Sequence, residues 1–219
     1  GGTLATGELA GLGFDAQGVD VRTTAGDYRA RLVVGADGAQ SIARRLAGLE
    51  AQVEDYGQLA LVAVVRPERP HESTAWQRFL GAGTLALLPL ADGTCSIVWS
   101  LPQAEATQRL ADEPAEFSRR LTAASDGVLG TLSLEGERAA FPLRRLLAPR
   151  YAIERFVLVG DAAHVVHPLA GQGVNLGFLD AAALAEVLAR ARAEGEDPGA
   201  LRVLRAYERW RKGDNQLTS

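Results

Sequence analysis

The sequence contains no methionine and one cysteine, Cys95, among 219 residues. A single thiol excludes an intramolecular disulfide framework and fits a reducing compartment. No apolar run reaches the roughly 20 residues that a membrane-spanning helix needs. A basic balance is missing too: the net charge is -4 and the pI is near 5.5, which argues against nucleic acid as a partner. No G-x-S-x-G elbow occurs, and His71-Glu72 does not extend to H-E-x-x-H, so hydrolase chemistry lacks its usual carriers. His164 and His167 lie beside Pro168 without a third protein ligand in view, so no metal is expected. Repeats and low-complexity stretches are absent. What remains is a globular balance, 47% hydrophobic and 23% charged, with material for one or two domains.

Both ends read as cuts. The chain opens Gly1-Gly2-Thr3 without an initiator Met and stops at Gln216-Leu217-Thr218-Ser219, just past a helical pattern. The expectation is a fragment of a longer protein.

Residues 3–36 pattern as short strands, with Val19 to Thr24 and Tyr28 to Arg31 flanking a Gly26-Asp27 turn. Leu32-Val33-Val34-Gly35-Ala36 is continuously apolar, as a strand buried on both faces should be, and Ser41 to Leu46 follows as a short helix. The texture then changes. Leu59 to Val65, Thr84 to Leu90 and Cys95 to Leu101 are strand-like runs separated by Pro and Gly, and residues 103–124 are helical with Pro114 early in the second segment. Thr131 to Leu134 and Arg138 to Leu143 predict two strands around a Glu135-Gly136 turn. Phe156 to Val159 restores the buried-strand texture. Leu176, Leu179, Ala183, Val187 and Ala191 then fall at helical spacing from about Gly173 to Glu194. Asp197-Pro198 predicts the cap of a last helix with the stripe Ala200, Val203, Leu204 and Tyr207. Two α/β pieces, 1–50 and 151–219, therefore bracket a mostly antiparallel sheet domain with helices, 51–150. One continuous α+β domain is the alternative.

Three segments could carry chemistry. Gly11-Leu12-Gly13-Phe14-Asp15-Ala16 matches G-x-G-x-x-A, but a strand-like run follows where a helix is required, so a turn is expected there. Asp37-Gly38 stands at the carboxyl end of a buried strand, where open α/β sheets bind ligands. Ser41 can cap the following helix, which leaves Arg44 one turn in and able to reach an anion. The richest segment runs from Gly160-Asp161-Ala162-Ala163-His164 to Asn175. A strand delivers Asp161 to accept bonds from sugar-like hydroxyls, and Ala162-Ala163 lets a ligand lie against backbone. Pro168 shapes the loop, and Gly171 and Gly173 expose N–H groups where a helix begins, with roughly half a positive charge.

Together these segments resemble the class A flavoprotein monooxygenases, the para-hydroxybenzoate hydroxylase-like group. Asp37-Gly38 to Arg44 is similar to that family's D-G-x-x-S-x-x-R motif, and Gly160-Asp161 to its G-D motif. The likeness is closer to the ubiquinone-biosynthesis hydroxylases, in the branch acting at ring carbon 5. It is carried by Asp55-Tyr56, Leu59 to Ala63, Leu88 to Leu90, Cys95 to Ser100 and His167 to Gly177, and runs from about Arg31 to Arg211.

The resemblance implies FAD as cofactor and NADPH or NADH as co-substrate. It implies hydroxylation of a polyprenylated phenol by dioxygen through a flavin hydroperoxide, with no side-chain acid or base named. Asp161, with Gly160, would contact the ribityl chain and phosphates. The backbone of Gly171, Gln172, Gly173, Val174 and Asn175 would face the ring, on the cofactor-binding loop that Pro168 shapes. Asp37, Gly38 and Arg44 would lie near the pyrophosphate and the nicotinamide approach, and the sheet from about Tyr56 to Leu101 would form the substrate cavity. The family's N-terminal βαβ unit with G-x-G-x-x-G is not among these residues. The expected fold is thus an incomplete FAD-binding Rossmann-like α/β domain interrupted by an α+β substrate domain, and the fragment alone is expected to hold little FAD and to be inactive.

A polyprenyl substrate implies a cytoplasmic protein in peripheral contact with the inner membrane face or in a ubiquinone-biosynthesis complex. Arg202, Arg205, Arg209, Arg211 and Lys212 are candidates to meet anionic lipid, beside the commoner reading of a solvated helix face. The rivals are a hydroxylase of another aromatic, a flavin reductase of the same superfamily, and a noncatalytic assembly subunit with a degenerate cofactor site.

Overall fold

A computed structural model describes residues 2–166 and 173–218, with side chains described up to 214. The chain forms two compact units, Gly1–Glu54 with Arg144–Ser219, and Asp55–Leu143.

The first unit opens with an antiparallel ribbon of β1 (Leu9–Phe14), β2 (Val19–Thr23) and β3 (Gly26–Ala30), paired in that order. Asp15 makes the first turn, its Oδ1 accepting from the N–H groups of Gln17 and Gly18 at 2.8 and 3.0 Å. Gly11 to Phe14 therefore lie inside β1 and the turn starts at Asp15, so this G-x-G-x-x-A string has no helix to offer a pyrophosphate. Next come β4 (Val33–Gly35) and α1 (Ile42–Leu46). The expectation of a strand buried on both faces is corrected here: Val34 is 42% exposed. Among the described residues β4 lies at the edge of its sheet, beside β11.

The second unit is a twisted antiparallel sheet covered on one face by helices. It uses β5 (Gln52–Pro67), β6 (Trp76–Leu80), β7 (Gly83–Pro89), β8 (Cys95–Pro102), α2 (Gln103–Ala111), α3 (Pro114–Ala124) and β9 (Leu132–Leu147). Strand order is β9-β5-β8-β7-β6, and a short sixth strand, His164–Val165, pairs with Leu146 and Leu147 at the end of β9. Alternation decides the faces. Leu61, Ala63 and Val65 of β5, Leu85 and Leu87 of β7, and Cys95, Ile97, Trp99 and Leu101 of β8 point into one core with Phe117 and Leu121 of α3. The Arg138 guanidinium closes that core, 4.9 Å over the Phe117 ring. Two details differ from the sequence reading. β9 runs unbroken through Gly136, whose φ of +77° bends the strand without reversing it. β6 has no counterpart in the sequence reading, because Trp76-Gln77-Arg78-Phe79-Leu80 lacks clean alternation and forms the edge, where Phe79 stays exposed.

The chain then completes the first unit with β10 (Ala152–Ile153), β11 (Phe156–Leu158), β12 (His164–Val165), α4 (Gly173–Ala193) and α5 (Leu201–Thr218). β11 pairs parallel with β4, Phe156 opposite Val33 and Leu158 opposite Gly35, in a sheet of order β10-β11-β4. Against it pack Ala183 and Leu184 of α4 and Leu204 and Tyr207 of α5, all buried. The expected α4 stripe holds at Leu176, Ala183 and Ala191, but Leu179 is 53% exposed and the buried position beside it belongs to Asp180. Asp197 does not cap α5, which starts at Leu201. Its carboxylate instead takes Gly199 N–H at 3.1 Å and the guanidinium of Arg155, making a turn before the helix. The mixed α/β class with an antiparallel sheet is as the sequence implies.

Candidate functional site

The parallel pair sets two loops side by side. β4 and β11 end together at Gly35 and Leu158, and Val159 N–H still donates to Gly35 C=O at 3.0 Å. The chain leaving β4 makes the Asp37 loop, and the chain leaving β11 makes the Gly160 loop. Asp37-Gly38 and Gly160-Asp161 thus meet at the carboxyl edge of one sheet, the place where α/β sheets take ligands.

In the first loop, local capping uses most of the polar groups. Gly38 adopts φ +78°, which the turn requires of a residue without Cβ. Asp37 Oδ2 accepts from Ala43 N–H at 2.9 Å, Asp37 Oδ1 takes the Ser41 hydroxyl, and Ser41 Oγ accepts from Arg44 N–H at 2.8 Å. Burial works against the charged Asp37, but the Ala43 amide and Ser41 hydroxyl outweigh it and hold the carboxyl below its ordinary range. Arg44 is buried, and its guanidinium donates to Ala162 C=O at 2.6 Å and Ala39 C=O at 2.9 Å. It joins the two loops through backbone carbonyls.

The second loop is a 3-10 turn, Gly160–Ala162, leading into β12. Gly160 has φ +58° and packs on α4, where an added Cβ would come 3.6 Å from the Gly177 Cα. Of residues 160–164 only Asp161 is exposed; Ala162, Ala163 and His164 are buried. Ala148 N–H donates to Ala163 C=O at 2.8 Å.

Beneath the loop lies a charge cluster that the sequence reading missed. Asp180, with 0% exposure, accepts from Gly160 N–H at 2.8 Å, His164 Nε2 at 2.6 Å and Arg211 Nε at 2.7 Å. Burial alone would raise this carboxyl, yet the bonds from His164 and Arg211 more than reverse that and lower it. The His164 ring stacks on Tyr151 at 5.8 Å, and Tyr207 OH donates to Leu158 C=O at 2.9 Å. A signal for the cluster was present. Asp180 lies four residues after Leu176 and three before Ala183, and Arg211 lies four after Tyr207, so each puts a charge into an apolar stripe. A charge in such a stripe requires a partner. The lipid-facing reading of Arg211 is corrected accordingly, since it is 2% exposed and ion-paired. His164 is equally committed.

The FAD binding domain family matches residues 7–213. The chain belongs to the FAD-binding domain family. Ubiquinone hydroxylase UbiL of Rhodospirillum rubrum is 42% identical over 216 residues, covering 98% of this chain and 50% of that protein. The 3-demethoxyubiquinol 3-hydroxylase of Escherichia coli is 40% identical over 187 residues, covering 85% of this chain and 48% of that protein. Among solved structures, P. aeruginosa PqsL in complex with 2-aminobenzoylacetate superposes with a TM-score of 0.81 at 27% identity, over 96% of this chain and 60% of that one. The chain spans about half the length of the curated relatives it matches.

In this FAD-binding domain the residues present fit part of the cofactor. An exposed carboxylate, Asp161, stands at the end of a parallel strand pair on a loop whose other side chains are buried. Such a group accepts hydrogen bonds from sugar-type hydroxyls. The first turn of α4 carries Gly173, Val174 and Asn175 and no acidic residue, so nothing there opposes an electron-rich group. Pro168, Gly171 and Gln172, together with His167, lie outside the described residues. Among the described residues no group of three or more His, Cys, Asp or Glu is arranged for a metal ion, and no helix is long and apolar enough to cross a membrane.

Proposed function

We propose that the protein carrying this chain is an FAD-dependent monooxygenase that hydroxylates a polyprenylated phenol in ubiquinone biosynthesis. The observation that supports it best is Asp161, the single exposed residue among 160–164, on a loop hydrogen-bonded to Asp180 and Arg44 at the sheet's carboxyl edge. The similarity to a ubiquinone hydroxylase and to a 3-demethoxyubiquinol 3-hydroxylase supports the substrate class. In the reaction one oxygen atom of dioxygen enters the ring and the other leaves as water, with NADPH or NADH supplying two electrons. Ring carbon 5 is the expected position.

FAD, when bound, supplies the oxygen-transfer chemistry, and the chain's residues hold and orient. Asp161 would accept from the ribityl hydroxyls. Gly173, Val174 and Asn175 would present backbone donors at the start of α4. Asp37, Gly38 and Arg44 build the adjoining loop wall. The substrate side would be the face of the second unit's sheet opposite its helices, where the half-buried Val62, Val64, Ala86 and Val98 lie with Ser96 among them. Contact with the membrane-resident substrate is peripheral or through a protein complex, and Arg202, Arg205 and Arg209 keep exposed side chains for it.

The complete protein tests this directly. Product formed with labelled dioxygen should gain one labelled oxygen on the ring, with NAD(P)H consumed only when the polyprenyl phenol is present. Asp161→Ala should weaken FAD binding about tenfold, the scale of losing one charge-assisted hydrogen bond. Oxidation of NAD(P)H without ring hydroxylation would favour the reductase reading.

A further inference from the structure

Asp180 of α4 holds the Gly160 loop at both ends. Its Oδ2 takes Gly160 N–H at 2.8 Å and His164 Nε2 at 2.6 Å, while its Oδ1 takes Arg211 Nε of α5 at 2.7 Å. Between those ends, Ala162 C=O is held by Arg44 and Ala163 C=O by Ala148 N–H. Only Asp161 has its side chain outside this frame.

The chemistry explains why a carboxylate is needed. Gly160 lies past the end of β11 and its N–H takes a side-chain acceptor in place of a ladder carbonyl. A buried carboxylate with two lone-pair-bearing oxygens can serve that amide and an imidazole at once, and Arg211 balances its charge. For stability alone, apolar residues of similar volume would do as well. What they cannot do is tie the loop's first amide and its last side chain to a single point.

We propose that Asp180 is the positioning residue for Asp161. It clamps the loop at Gly160 and His164 and thereby sets where the Asp161 carboxylate is presented to the cofactor. This inference rests on the proposed contact between Asp161 and FAD. Asp180 touches no cofactor and acts only through the loop.

The test is a double-mutant cycle in the complete flavoprotein, reading the Kd for FAD by titrating apoprotein and following flavin fluorescence. Asp161→Ala and Asp180→Asn should each raise Kd about tenfold, and the double variant should exceed Asp161→Ala by no more than about twofold, as expected for two residues acting through one contact. Additive losses, about a hundredfold in the double variant, would overturn the positioning role and leave the FAD reading of Asp161 standing. An unchanged Kd in Asp180→Asn would overturn it as well. An unchanged Kd in Asp161→Ala would overturn the FAD reading and this inference with it. Leu204→Ala, a core truncation in α5, controls for general destabilisation: its Tm should fall while Kd stays within about twofold. A Kd rise there equal to that of Asp180→Asn would overturn the proposal. Should Asp180→Asn not fold, His164→Gln and His164→Leu decide. The Gln amide can still donate to Asp180 and should keep the native Kd, whereas Leu should lose about tenfold. Equal Kd values for the two would overturn the clamp.

Discussion

Gly160 shows how a single residue's backbone shapes the site. At φ +58° any L side chain pays a strain of about 1–2 kcal/mol, while the Gly177 Cα, 3.6 Å from where a Cβ would stand, is at ordinary contact distance. Gly160→Ala should therefore lower unfolding stability by about 1–2 kcal/mol in urea titrations. A change within a few tenths would mean the loop relaxes freely. Two carboxylates make the pH dependence predictable. Burial opposes the charge on Asp180, but its partners lower the carboxyl below its ordinary range; Asp197, hydrogen-bonded by Arg155, falls from 3.8 to about 2. A depressed folded-state pKa adds stability that is present above the unfolded value and lost as pH falls through the folded one. Urea midpoints should accordingly be flat above pH about 4 and drop between about 4 and 2. Asp197→Asn should be less stable than the native chain near neutrality, with the gap closing across that window. Parallel curves would remove Asp197 from this account.

At the scale of elements, close approach decides what periodicity leaves open. Gly83 begins β7, and a Cβ on it would lie 1.9 Å from the Ser100 carbonyl oxygen of β8. Gly83→Ala must push these strands apart. It should cost about 1–3 kcal/mol, in the range of overpacked cores, and should show as a lower thermal midpoint and an altered near-ultraviolet signal from Trp99. Most elements were legible because their apolar spacing matches one secondary structure. Residues 95–101 alternate and form β8, and residues 173–193 keep helical period and form α4. Where the sequence misled, the reason is specific. Gly136 reads as a turn but only bends β9, β6 lacks alternation because it is an edge, and Asp197 serves Arg155 in place of the helix cap it resembles.

For the whole chain, the FAD reading gives a measurable cofactor content. Among the described residues, the one G-x-G-x-x-A string lies in β1 and its following turn, without the helix that a pyrophosphate cradle requires. We therefore expect these 219 residues, purified alone, to show a flavin-to-protein ratio well below one by absorbance. Stoichiometric yellow colour would count against that. Ligand linkage offers a second reading: if FAD binds weakly, adding it at tenfold excess over protein should raise the thermal midpoint little, since stabilisation grows only with the logarithm of concentration over Kd.

The sequence by itself determined the chemistry-bearing strings. Asp37-Gly38 and Gly160-Asp161 each follow a short apolar strand, and that local order is written in the spacing of residues a few positions apart. Only the tertiary structure decided what each side chain does there. The parallel pairing of β4 with β11 brings loops some 120 residues apart in sequence to one edge. It turns Arg44 onto the Ala162 carbonyl, and it places Asp180 and Arg211, from two helices, under the loop that presents Asp161. The physical reason is range. Periodicity reports which face of an element is buried, but the partner of a buried charge is set by which faces pack together, and that is a property of the folded chain.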